Sequence, residues 1–172
     1  MNFKIDKEFQ KKMDKYIDIE YNKYFGDNNI KQITRLDSID EQTDTIKILD
    51  RKLGVDTAIR FNNGQFITIQ EKIRRYEYIE YQDFTLEYYS NILEKIKGEY
   101  FYLGAHLYFY GYSNQNQNGI YCYRLINILN LKLYLNKLNK KPIENKKHSN
   151  ANFIAIKFDE LLKQDNIIIY SS

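Results

Sequence analysis

An aspartate, Asp56, and the triplet Gln70-Glu71-Lys72 lie on two β-rich runs, LGVDTAIRF and QFITIQEKIRR, separated by Asn62, Asn63 and Gly64. A carboxylate, an amide oxygen and the peptide carbonyl between Gln70 and Lys72 are hard oxygen donors. They suit Mg²⁺, which holds its ligands at about 2.0–2.1 Å and keeps several waters. A lysine beside such a set can position and activate water while the cation polarises a phosphoryl oxygen. The chemistry open to these residues together is metal-assisted phosphodiester hydrolysis with no covalent intermediate.

That chemistry requires the side chains to share a face, and the loop length decides whether they do. A two-residue turn of Asn63 and Gly64 sets Asp56 opposite Glu71. A three-residue loop, with Gly64 left-handed in a bulge, sets Phe61 opposite Gln65 and Asp56 opposite Gln70. Asn-Gly serves either turn, but the apolar pattern favours the longer loop. It pairs Ile59 with Ile67 and Thr57 with Ile69, and it leaves Val55, Ile59, Phe61, Ile67, Ile69 and Ile73 on one face. Asp56, Gln70 and Lys72 then gather on the other, with Glu71 the rival to Gln70 as a metal ligand.

The elements around the hairpin read as follows. Phe9, Met13, Tyr16, Ile17 and Tyr24 recur at spacings of three and four, which predicts an amphipathic helix over 6–25 ended by Gly26. Glu20 falls on its apolar side and is expected to point inward. Residues 27–53 are polar and resist assignment, although Ile46, Ile48 and Leu49 suit a short strand. Asp83 reads as the N-cap of a helix over 83–97 with Gly98 as its stop. EYFYLGAHLYFYGY reads as one long strand, IYCYR as its return, LINILNLKLYLNKLNK as a helix, and the tail from 143 to 172 as strand, helix, strand. The expected architecture is one α/β domain over 1–172, a mixed β-sheet flanked by α-helices.

A chain of 172 residues with 43% hydrophobic content can bury a core without staples. The formal charge of +3 permits a nucleic-acid partner without demanding one. Cys122 is the only cysteine, which excludes an internal disulfide and a thiolate zinc cluster and points to the reducing cytoplasm. No stretch reaches the roughly 18 apolar residues of a membrane span.

The stretch GVDTAIRFNNGQFITIQEKIRR resembles the core of the PD-(D/E)xK nuclease superfamily, the restriction-endonuclease-like fold. Its Gln70-Glu71-Lys72 is similar to the Gln-x-Lys version of Mrr-like restriction enzymes and some homing endonucleases. The resemblance implies that Asp56, Gln70 and Lys72 form the site, that Glu20 of the first helix joins the metal shell, and that Mg²⁺, or Mn²⁺ in its place, is the cofactor. It also implies double-stranded DNA as substrate and a homodimer cutting both strands. Two departures stand out: glutamine replaces the commoner carboxylate, lowering the charge of the site, and no proline precedes Asp56.

Other candidates are secondary. Arg74 and Arg75 could contact phosphate, as could a basic stretch of Lys137, Lys140, Lys141, Lys146, Lys147 and His148; a solvated surface would look the same. Asp50 could be an outer ligand or a turn residue. His106 has only His148 for company, which makes it a core or strand histidine and not a zinc ligand. Two other readings stay open. One is a junction resolvase or ribonuclease on the same fold. The other is an inactive nucleic-acid- or partner-binding protein, in which Asp56 and Lys72 are a plain ion pair.

Overall fold

The computed structural model describes residues 3–36, 53–145 and 150–172. The expected strand at Ile46, Ile48 and Leu49, and Asp50, Lys146, Lys147 and His148, lie outside the described residues.

Helix α1 (Phe3–Phe25) is followed by β1 (Ile30–Arg35), β2 (Thr57–Phe61) and β3 (Phe66–Arg74), all antiparallel neighbours. The chain then makes a 3-10 turn (Tyr76–Tyr81), β4 (Asp83–Asn91), β5 (Ile96–Lys97) and a second 3-10 turn (Glu99–Phe101). It returns as β6 (Leu107–Ser113), which runs parallel to β3, and continues into β7 (Ile120–Asn127). Helix α2 (Ile128–Leu135), β8 (Ile143–Glu144), β9 (Asn152–Lys157), helix α3 (Phe158–Leu162) and β10 (Ile168–Ser171) complete it.

The result is α/β: a six-stranded mixed sheet, β1-β2-β3-β6-β7-β10, and a second, four-stranded sheet, β5-β4-β9-β8. Alternation along β3 and β6 divides the core in two. Ile59, Ile69, Ile73 and Phe109 pack under Phe9, Met13, Ile17 and Tyr21 of α1, one residue per turn of the helix. Tyr108, Tyr110 and Tyr112 project from the other face against Phe84, Leu86, Ile154 and Ile156 of the small sheet. No helix among the described residues is long and apolar enough to cross a membrane.

Three expectations about elements are corrected. Residues 83–97 form β4, a turn and β5 in place of a helix. Phe84 and Leu86 are fully buried at a period of two, which overrides the helix end signals. Gly98 is a close-approach glycine and not a helix stop: a Cβ there would lie 2.6 Å from the Glu87 carbonyl oxygen. The expected strand over 99–112 begins only at Leu107, because a 3-10 turn occupies Glu99–Phe101. Ile30–Arg35, in the segment that resisted assignment, is the edge strand of the large sheet.

Candidate active site

The hairpin adopts the three-residue loop. The Phe61 amide donates to the Gln65 carbonyl (2.9 Å), Gly64 has φ +85°, and Thr57 pairs with Ile69 and Ile59 with Ile67. The Asp56 amide donates to the Ile69 carbonyl (3.0 Å), so Asp56 stands beside Gln70 as that register requires. One residue departs from the expected face: Val55 joins the core of the small sheet, because the chain turns at Gly54 (φ +59°) before β2 begins.

Gln70 and Lys72 leave β3 on the face turned toward the small sheet, beside Tyr108 and Tyr110 of β6. They converge there on Glu99, a carboxylate that sequence reasoning did not single out. Gln70 Nε2 donates to Glu99 Oε1 (2.9 Å), Lys72 Nζ to Glu99 Oε2 (3.1 Å) and to the Thr85 carbonyl (3.1 Å), and the Tyr108 hydroxyl to Glu99 Oε1. Asp56 Oδ2 accepts from the Glu71 amide (2.7 Å). Burial, then the Glu99 and Asp56 charges, hold the Tyr108 phenol well above its ordinary pKa, which keeps it a donor. For Lys72 burial alone would favour loss of the proton, but the Glu99 carboxylate outweighs it and the net shift is upward. Lys72 is therefore a fixed cation over the neutral range and not a proton acceptor.

One atom in this cluster is unsatisfied. Gln70 is only 7% exposed and its Oε1 has no hydrogen-bond partner. Exchanging the amide's O and N is no remedy, since it would aim the oxygen at the Glu99 carboxylate and strand an N–H instead. A buried acceptor without a donor costs roughly 1–3 kcal/mol, and a cation is one partner that would satisfy it. The donor set of Asp56, Gln70 and Glu99 fits a hard divalent ion in chemistry, though no three His, Cys, Asp or Glu side chains cluster to hold a metal among the described residues. Lys72, 32% exposed, opens onto a groove of about 650 Å³ shared with Arg74, Arg75, Tyr78, Thr85 and Glu87.

Other expected residues go elsewhere. Glu71 projects to the α1 side, where its carboxylate (8% exposed) meets Arg35 Nη1 at 2.5 Å and accepts from the Tyr21 hydroxyl at 2.7 Å. Arg35, 12% exposed, also bonds Asp18 (2.5 Å), the Asp14 carbonyl (3.1 Å) and Thr57 Oγ1 (3.1 Å). Glu20 pairs with Lys23 one turn on (2.7 Å); the helix positions that reach the Glu71 cluster are 14, 18 and 21, and Glu20 lies off that line. Arg74 is tied to Asp83 (2.6 Å) and lies over the Tyr78 ring, and Arg75 lies over Phe9. Lys140 pairs with Glu160 (2.5 Å), while Lys141 is exposed. His106 is exposed, and its Nδ1 accepts from the Thr68 amide (3.1 Å).

No protein-family model, curated protein or solved structure matches the chain.

Proposed function

We propose that this protein is a metal-dependent phosphodiesterase that hydrolyses DNA, acting as an endonuclease. The observation that carries the reading is the buried, unpartnered Gln70 Oε1 beside Asp56, Glu99 and a protonated Lys72. Asp56, Gln70 and Glu99 would hold Mg²⁺, with Mn²⁺ as a substitute. Bound there, the ion supplies Lewis-acid polarisation of a phosphoryl oxygen and offsets charge developing on the leaving oxygen.

The chain's own residues supply the rest. Lys72 presents a fixed ammonium at the floor of the groove, where it orients an attacking water and neutralises a non-bridging phosphate oxygen. Glu99 and the Thr85 carbonyl hold that ammonium in place, and Tyr108 holds Glu99. The Glu71 amide fixes one oxygen of Asp56 and so holds that carboxylate in place on the strand. Arg35 and Tyr21 draw the Glu71 side chain away to the helix side. A cytoplasmic setting accords with the lone Cys122, and a pair of copies cutting both strands accords with the resemblance.

The test is incubation of supercoiled plasmid, single-stranded DNA and RNA with Mg²⁺, Mn²⁺ or EDTA, beside Asp56→Asn and Lys72→Met. Metal-dependent cutting of DNA that both variants lose while each still unfolds cooperatively is the expected result. Preference for RNA or branched DNA would redirect the reading to a ribonuclease or junction resolvase. Intact substrates throughout would overturn it in favour of a binding protein. That second reading draws on the Lys72–Glu99 pair, which already neutralises both charges without any ligand.

A further inference from the structure

The face that carries Asp56 and Gln70 continues along the strands into open surface. Cross-strand pairing sets its residues in rows: Thr34, Ala58 and Thr68 in the first row beyond Asp56 and Gln70, then Gln32, Arg60 and Phe66 in the second. Of these, Thr34, Ala58, Gln32, Arg60 and Phe66 line a trough of about 370 Å³, and Thr68 carries the bond to His106 alongside it. Phe66 is 64% exposed, its ring edge-on to the His106 imidazole with centroids 6.3 Å apart. An amide N–H can only donate, so the bond from Thr68 fixes His106 Nδ1 as an acceptor and leaves a proton on Nε2, the ring nitrogen away from the strand. Arg60 is exposed, and among the described residues no carboxylate lines this trough.

We propose that the trough is a platform for an unpaired nucleotide of the substrate, its base laid on Phe66 and its phosphates against Arg60 and His106 Nε2. An exposed aromatic ring on a sheet face, flanked by a cation and neutral hydrogen-bonding side chains, is the chemistry that holds single-stranded nucleic acid. A base inside a duplex has both π-faces covered by its neighbours, so Phe66 can stack only on an unpaired or terminal one. A second copy of the chain is the poorer occupant, because two-fold pairing of this face would bring Arg60 against its own twin with no acid between. The second row stands four residues, about 13 Å, along β2 from Asp56. At the roughly 3.4 Å spacing of stacked nucleotides the platform engages the strand about four nucleotides from the bond to be cut.

This inference rests on the nuclease reading for its direction toward the site, and the two fail separately. The chain has no tryptophan, so Phe66→Trp places a single selectively excitable indole on the platform. In EDTA, unlabelled single-stranded decamers should quench that emission while a blunt duplex of equal length should not, with DNA and RNA run as separate arms. Labelled decamers should bind Phe66→Ala and Arg60→Ala roughly tenfold more weakly than wild type. Absent quenching, equal affinity of Phe66→Ala and wild type, or preference for duplex each overturns the platform. Phe66-dependent binding by a protein that cuts nothing in any metal upholds the platform and sinks the nuclease reading; cutting with Phe66-independent binding does the reverse.

Discussion

Replacing Arg35 by methionine removes the one cation that meets Glu71 among the described residues. The guanidinium serves Glu71, Asp18, the Asp14 carbonyl and Thr57 at 2.5 to 3.1 Å. Burial works against its charge, but Glu71, Asp14 and Asp18 outweigh that and raise its pKa further. In the variant Asp14 and Asp18, 28% and 37% exposed, can turn to water. Glu71, at 8%, cannot, and among the described residues keeps only the Tyr21 hydroxyl. Stranding one partner of a buried pair costs about 3–5 kcal/mol. With a urea slope of about 2 kcal/mol/M for a chain of this size, the midpoint should fall by about 2 M. Adding Glu71→Gln removes the stranded charge and should recover at least half of the loss, giving a coupling of about 2 kcal/mol in the double-mutant cycle. A loss under about 1 kcal/mol, or no recovery in the double variant, would mean that Glu71 is solvated and that the network does not anchor α1 to β3.

Three more outcomes follow from the site. Gln70→Glu puts a carboxylate where Nε2 now donates to Glu99 at 2.9 Å, so it should lower the melting temperature in EDTA and raise the gain on adding Mn²⁺ above that of wild type; equal gains in calorimetry would count against a metal at this position. Lys72 has its folded pKa raised above the ordinary 10.5, so the stability from its pairing is fully present below pH 10.5 and is lost as pH rises through the higher folded value. Denaturation of wild type and Lys72→Met should therefore differ by a constant amount between about pH 6 and 10, and convergence near pH 8 would contradict the shift. Gly54→Ala should cost about 1–3 kcal/mol more than Gly64→Ala: both have positive φ, but only at Gly54 would a Cβ press on Gln70 Oε1 and the Tyr102 carbonyl, each at 3.0 Å, while Gly64 has open space. Equal urea midpoints would remove the crowding argument.

The strand-local part of the site was legible because period-two alternation and loop length are short-range quantities. Ile59 opposite Ile67 fixes which way Asp56 and Gln70 face, and Gly64 is the one loop residue that takes the left-handed conformation without penalty. Helix α1 was legible for the same reason, down to Phe9, Met13 and Ile17, and Glu20, 16% exposed, turns inward as its place between Tyr16 and Tyr24 implies. It meets Lys23, however, whereas the helix positions that reach the Arg35–Glu71 cluster are Asp14, Asp18 and Tyr21. Glu99 was illegible because it stands on a 3-10 turn inside a crossover whose strands were masked by helix end signals. The available clues were the alternation of Phe84 and Leu86 and a glycine immediately before Glu99. Arg35 lay in a polar stretch with no pattern, and only its tertiary partners explain it.

Gln70 and Glu99 account for each other. In a site built of strand residues alone, glutamine at 70 would leave Asp56 as the single carboxylate facing Lys72, and the set would be neutral. Glu99 brings an acid from the crossover, and it is Glu99 that meets the Lys72 ammonium and the Gln70 amide. A carboxylate at 70 beside Glu99 would instead crowd two acids together where the Gly54 backbone and the Tyr102 carbonyl already approach closely, and like charges there are costly. The amide avoids this by donating to Glu99 through Nε2 while its oxygen remains an acceptor. An amide at 70 is thus what lets a carboxylate from another element stand against β3 at this point.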